Sequence, residues 1–270
     1  NQDLARVDKA RFGNITEKCK NTILNSSHIR FQGTSYWVPL NEVMSLEDFS
    51  NFIDTTTFLK LCQSEFIEVG PSLSEVPQDV NAYYVRRFLT SGVPGGKPPE
   101  PEEYLWKTRN KVVAVCGLPG TGKSALASWI SREIKESHVR HWVLHIYLPR
   151  RIGLVNVATD VSDLHQLAKL CNVKPQGPEL KLFQHSLQYG TPFEIVIIFD
   201  AFDEIKKECR EHVLTLVKYL RETKVSKICI MSRTVFKTII RDAIRAEPLE
   251  IVSFSKEDII EFVGKYWRAN

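Results

Sequence analysis

The chain has 270 residues, 43% of them hydrophobic and 25% charged, with a formal net charge of +4. That balance belongs to a soluble globular protein with material for a sizeable core, in one large domain or two of ordinary size, and it excludes a wholly disordered chain. Lysine and arginine are interspersed with aspartate and glutamate, so the mild positive charge gives no case for a nucleic-acid partner.

No apolar run is long enough to span a bilayer, and nothing at the start reads as a secretory leader. The six cysteines (Cys19, Cys62, Cys116, Cys171, Cys209 and Cys229) never stand at C-x-x-C spacing, and several lie inside apolar runs. We expect buried free thiols and a cytoplasmic protein rather than a disulfide framework or a zinc site. The glycosylation patterns at Asn14 and Asn25 matter only in a secreted protein and are read as chance. Asn1 in place of a methionine, and a helical pattern running to Asn270, lead us to expect a segment of a longer protein.

In chain order, the first hundred or so residues are the hardest to read. Ser45, Leu46, Glu47 and Asp48 suggest a helix start, followed by Phe49, Phe52, Ile53, Phe58 and Leu61 at amphipathic spacing, though threonines 55–57 weaken it. Residues 82–89, aromatic and basic, suit a strand or a short helix. Residues 91–103 cluster proline and glycine with charge and read as a linker. We therefore expect an N-terminal region plus linker over 1–104, smaller than the remainder of the chain and mainly helical.

After the linker, strands and helices alternate. A valine-rich strand is expected over 111–116 and a helix over 124–136, with Leu126, Trp129, Ile130 and Ile134 on one face. A strand at 142–148 precedes helical patterns at 161–170 and 179–187. Residues 194–199 (EIVIIF) lack polar alternation, as in a parallel strand covered on both faces. Helix 208–221 carries Val213, Leu216, Val217 and Leu220 on one stripe. Strand 227–231, helix 234–244 and strand 249–254 come next, and Ser255 with Asp258 forms an N-terminal cap for a last helix. The alternation implies an α/β fold: five mostly parallel strands flanked by helices over 105–254, with 255–270 opening a further helical part.

Between the first of these strands and its helix, Gly117, Leu118, Pro119, Gly120, Thr121, Gly122, Lys123 and Ser124 fit G-x-x-x-x-G-K-[ST], with Ala125 next on the helix. A triphosphate must be held without a carbonyl or Cβ in the way. The glycines let the backbone turn its N–H groups inward, and the helix N-terminus adds uncapped donors and its positive dipole end. Lys123 reaches the β- and γ-phosphates, and Ser124 offers a hydroxyl to Mg²⁺.

The EIVIIF strand ends in Asp200, a second candidate Mg²⁺ ligand at the same sheet edge. With Asp203 and Glu204 it makes three carboxylates in five residues, which repel unless a cation or solvent relieves them. Asp203 and Glu204 are candidates to orient or deprotonate an attacking water; capping the next helix is the plainer alternative. The strand at 227–231 leads into Arg233, which at that edge suits charge-assisted contact with a γ-phosphate.

Together, the loop at 117–124, the pattern Asp200-Ala201-Phe202-Asp203-Glu204 and the strand-ending Arg233 resemble the NACHT group of STAND-type P-loop NTPases, the nucleotide switches of NOD-like receptors. The resemblance covers about residue 107 to the end, including HIYLPRR as the second strand with trailing arginines. It implies that the arginine-bearing strand lies between the loop strand and the Asp200 strand, and that Arg233 is the first sensor arginine. It also implies ATP (GTP not excluded) with Mg²⁺, roles in innate-immune signal transduction, and oligomerisation or protein partners through flanking domains. Because some relatives pack a segment near the base just upstream of the core, Arg86 and Arg87 become candidates for nucleotide contact.

His138, His141 and His145 are close in sequence but lack a neighbouring acid or cysteine to complete a metal site. Cys116 reads as packed rather than nucleophilic. Three functions stay open on the residues: a regulatory nucleotide switch with slow hydrolysis, a metabolic or nucleic-acid-dependent P-loop enzyme, and a non-hydrolysing nucleotide-binding scaffold. Neither the arginine-rich lid of a small-molecule kinase nor an LSGGQ-like transporter signature is present in the sequence.

Overall fold

The structure is a computed structural model that describes residues 17–31, 37–47, 49, 66–69, 82–91, 98–137, 141–154, 163–171, 173, 178–190 and 194–269. Asn14 of the first sequon, His138, the threonines 55–57 and the whole amphipathic stretch after Phe49 lie outside these residues.

The N-terminal region, expected to be mainly helical, adds a small sheet to its helices. Helix α1 (Glu17–Ser26) leads into β1 (His28–Phe31), then β2 (Val38–Pro39), the short α2 (Leu40–Val43) and β3 (Phe66–Val69). The strand order is β2-β1-β3, with β1 antiparallel to β2 and parallel to β3. Strands this short carry too little periodicity to be read from sequence.

Next come β4 (Phe88–Thr90), β5 (Glu100–Pro101) and the single turn α3 (Tyr104–Lys107). The alternating core then runs β6 (Val112–Gly117), α4 (Lys123–Ser137), β7 (His141–Tyr147), α5 (Leu148–Arg151), α6 (Asp163–Leu170), α7 (Pro178–Tyr189) and β8 (Glu194–Asp200). It continues with α8 (Lys207–Arg221), β9 (Lys227–Arg233), α9 (Lys237–Ile244), β10 (Leu249–Ile251) and α10 (Lys256–Ala269).

Seven strands form one sheet in the order β5-β4-β10-β6-β9-β8-β7. The five expected strands are mutually parallel, and β9 lies between β6 and β8. The other two are antiparallel additions at one edge, β4 on β10 and β5 on β4. Both come from residues read as linker or as an ambiguous segment. The short β5 is anchored by the fully buried Glu102 next to it, whose Oε2 accepts the Tyr84 hydroxyl at 2.6 Å and the Arg87 N–H at 2.5 Å.

Because helices cover both faces, successive residues of one strand feed opposite cores. In β8, Ile195, Ile197 and Phe199 pack on the α8 side with Leu216 and Leu220, while Val196 and Ile198 pack on the α4 side with Leu126 and Ile130. Fully burying each such side chain contributes about 1.5–3 kcal/mol, which is why the run tolerates no polar alternation. The last helix opens as expected: the Asp258 N–H donates to Ser255 Oγ at 3.1 Å and the Ser255 N–H to Asp258 Oδ2 at 2.8 Å, a reciprocal cap. Strand β10 stops at Ile251, short of the expected 254, where the Arg87 guanidinium takes the Val252 carbonyl at 2.9 Å and stacks 3.8 Å over the Phe254 ring.

Candidate functional site

Parallel strands in register end together, so their loops gather at one edge. Here Gly117 pairs with Arg233, and Asp200 with Tyr147. The loop after β6, the turn after β8 and the end of β9 therefore face a common cleft of about 300 Å³.

The loop owes its shape to its glycines. Gly120 (φ 76°) and Gly122 (φ 84°) adopt left-handed backbone, and a Cβ at either would meet nothing within 4 Å. The requirement there is conformational, not steric. At Gly117 the opposite holds: a Cβ would come within 2.6 Å of Thr121 Oγ1. Thr121 in turn closes the turn by donating its hydroxyl to the Leu118 carbonyl at 2.8 Å. Helix α4 starts immediately afterwards, so its first N–H groups, which have no intrahelical acceptor, open toward the cleft. Lys123 Nζ donates to the carbonyls of Gly117 (3.0 Å) and Leu118 (2.9 Å). Burial pushes this ammonium below the ordinary lysine value; Asp203 opposes the shift, Arg233 adds to it, and Asp200 opposes it in turn.

Asp200 is 2% exposed. Its Oδ1 accepts the Ser124 hydroxyl at 3.2 Å and the following Ala201 N–H at 2.8 Å. Ala201 is left-handed (φ 58°), which turns the chain into the 3-10 segment Phe202–Glu204 and swings two more acids to the cleft. Asp203 is paired with Arg233, and Glu204 Oε2 accepts the Tyr147 hydroxyl at 3.0 Å. Burial, reinforced by the Glu204 carboxylate, raises the Tyr147 phenol above its usual value.

The sequence candidates thus sort into three groups. Pro119, Gly120, Gly122, Lys123, Ser124 and Ala125 line one wall, and Asp200, Asp203, Glu204 and Arg233 the other. Gly117, Leu118 and Thr121 shape the loop through the contacts above. Arg86 and Arg87 are not among the lining residues: Arg86 pairs with Glu103 at 3.2 Å, and the buried Arg87 is committed to Val252 and Phe254.

Sequence reasoning missed the contribution of β7. The acids absent around its histidines in sequence arrive through strand pairing: His141 Nε2 is 3.1 Å from Glu194, and the buried His145 Nε2 is 3.5 Å from Asp200 Oδ2. Tyr147 stood inside a segment read as a strand with trailing arginines, and was not itself singled out. Knowing that β7 and β8 pair in parallel register would have found the two histidine contacts; the Tyr147 contact with Glu204 also needs the left-handed turn at Ala201.

For a divalent cation the chemistry of the donors fits magnesium. Ser124 Oγ and the Asp200 carboxylate are hard oxygen donors at one point. Among the described residues no three His, Cys, Asp or Glu side chains form a metal cage. A cation here would complete its shell with water and phosphate oxygens, as Mg²⁺ does in phosphoryl-transfer sites. Cys116, beneath the loop, is fully buried, and its thiol is pushed up to about 12 by burial, so it is packing rather than a nucleophile.

Comparison with known families matches residues 111–270 to the NACHT domain. No curated protein matches the chain. Among solved structures, a chain of the Drosophila ORC bound to DNA is similar at 15% identity and a TM-score of 0.37, over 61% of this chain and 42% of that one. The cytoplasmic domain of the Thermomonospora curvata type VII secretion ATPase EccC is similar at 14% identity and a TM-score of 0.34, over 79% of this chain and 28% of that one. The chain thus spans less than half the length of either. Among the described residues no helix is long and apolar enough to cross a membrane. With more than half of its residues matched and a phosphate loop in the strand-to-helix setting such loops require, the chain belongs to the NACHT family and is a nucleotide-binding P-loop NTPase.

Proposed function

We propose that this chain is an ATP·Mg²⁺-binding regulatory module of a larger cytoplasmic signalling or scaffold protein, whose nucleotide state sets conformation and assembly, with hydrolysis slow. Phosphates are held by the 117–124 loop and Lys123, the cation by Ser124 and Asp200. Glu204, aided by Asp203, acts on the attacking water, and the γ-phosphate is read by Arg233.

One observation carries the reading. Arg233 ends the strand next to the loop strand, lines the cleft, and is paired with Asp203 of the acidic turn. A γ-phosphate in the cleft competes with Asp203 for that guanidinium, whereas a diphosphate does not reach it. The difference between nucleotides is thereby converted into the tethering of the acidic turn, the differential contact that a switch requires.

Hydrogen exchange on the chain with ATP·Mg²⁺ and with ADP·Mg²⁺ tests the proposal. Different protection at the turn 201–205 and in the helical segment 234–244 supports it; identical protection with both nucleotides bound contradicts it. Turnover measured for the wild type beside Asp200→Asn, Asp203→Asn and Glu204→Gln separates a slow hydrolase from a scaffold that only binds.

A further inference from the structure

We propose that Tyr147 is a positioning residue for Glu204. The inference rests on the slow-hydrolysis part of the function proposed above.

Three acids meet at one sheet edge, and their neighbours divide the labour. Asp200 is turned toward Ser124 and the cation position. Asp203 has one oxygen on the Arg233 guanidinium and the other on the Arg233 N–H, a backbone contact that holds it toward β9 even when the guanidinium leaves. Glu204 makes no ion pair among the described residues; it is exposed, lines the cleft, and accepts one side-chain hydrogen bond there, from the Tyr147 hydroxyl to Oε2 at 3.0 Å. Its Oε1 is left for a water.

An exposed glutamate on a one-turn 3-10 segment has several rotamers, and holding it in one costs side-chain entropy. A phenol suits the task because it fixes the carboxylate through one oxygen without cancelling its charge, as an arginine would. Tyr147 reaches Glu204 through two features of the chain. Parallel register sets Tyr147 opposite Asp200, and the left-handed Ala201 folds the acidic turn back over the end of β7. The Arg150 guanidinium, 5.8 Å from the Tyr147 ring centre, backs the ring.

In the step this serves, a water proton passes to Glu204 Oε1 while the water oxygen bonds to the γ-phosphorus. The bond from that phosphorus to the β,γ-bridging oxygen breaks, and its electron pair leaves with ADP. Tyr147 keeps its proton throughout.

The test is steady-state ATP hydrolysis by wild type, Tyr147→Phe, Glu204→Gln and the double variant, with melting temperatures checked to be matched. A positioned base contributes about 10²–10⁴-fold, so misorienting it is expected to lower kcat by about 10- to 100-fold with KM unchanged. The double variant is expected to be no slower than Glu204→Gln alone, because Tyr147 acts only through that carboxylate. Wild-type kcat in Tyr147→Phe, or losses that multiply in the double variant, overturn the inference alone. A wild type that binds ATP·Mg²⁺ without turnover overturns it together with the hydrolytic role of Glu204, and leaves nucleotide binding standing.

Discussion

Arg233 Nε lies 2.7 Å from Asp203 Oδ2, and the backbone N–H of the same arginine donates to Asp203 Oδ1 at 3.1 Å. The two contacts differ in what they can release. The backbone contact is fixed by β9, whereas the guanidinium is 46% exposed, against a carboxylate 4% exposed. In the proposed switch, Asp203 would therefore keep one donor if Arg233 turned toward a phosphate, so the acidic turn would loosen without losing its anchor.

Arg233→Ala is expected to weaken ATP and spare ADP. A hydrogen bond to a charged group contributes about 1.5–3 kcal/mol, so ATP affinity should fall by roughly 10- to 100-fold. Titration calorimetry with both nucleotides reads the difference; equal losses for ATP and ADP contradict a role at the γ-phosphate.

Lys123→Ala is expected to behave differently. Its ammonium bridges the loop carbonyls of Gly117 and Leu118, and in the proposed site it serves the β- as well as the γ-phosphate. Affinity for ATP and ADP should fall together, each by about tenfold or more. Unchanged affinity for either nucleotide refutes the assignment.

The cation assignment predicts that Mg²⁺ strengthens ATP binding to the wild type, and that the gain shrinks in Asp200→Asn and in Ser124→Ala. Nucleotide titrations with Mg²⁺ and with a chelator check it. A full Mg²⁺ effect in both variants shows that the cation is held elsewhere.

Away from the cleft, Glu102 gives a pH signature. Burial raises its carboxyl above the ordinary range, although the Tyr84 hydroxyl and the Arg87 N–H lean the other way. The folded chain then holds this proton to a higher pH than the unfolded chain, so between the two values it binds more protons. Its contribution is fully present below the unfolded value and is lost as pH rises through the folded one. Glu102→Gln keeps an acceptor for both donors and removes the titration. Its melting temperature should decline less than that of the wild type as pH rises above the ordinary carboxylate range; parallel curves contradict the account.

Much of the parallel core was legible because its signals are local. The uninterrupted EIVIIF run, the stripe of α8 and the glycine spacing of the loop each follow from one segment's own chemistry. The site's protein-only pairings were not legible, because they depend on strand register. Arg233 meets Asp203 across neighbouring strands, and Tyr147 meets Glu204 across the sheet edge. The edge strands β4 and β5 were hidden for another reason. They are two or three residues long, and they are fixed by one buried acid, Glu102, in a segment whose prolines and glycines read as linker. Arg87 illustrates the same limit: its place just upstream of the core made it a candidate for nucleotide contact, yet here its partners are the Val252 carbonyl and the Phe254 ring.

The central claim is that the 117–124 loop binds a nucleoside triphosphate, and thermal unfolding tests it most directly. A ligand that binds only the folded chain stabilises it by about 2.7 kcal/mol at a hundred times Kd. Wild type should therefore melt several degrees higher in saturating ATP·Mg²⁺, and Lys123→Ala should rise by no more than about half as much at the same concentration. A wild type whose melting temperature does not move under saturating ATP·Mg²⁺ contradicts the account.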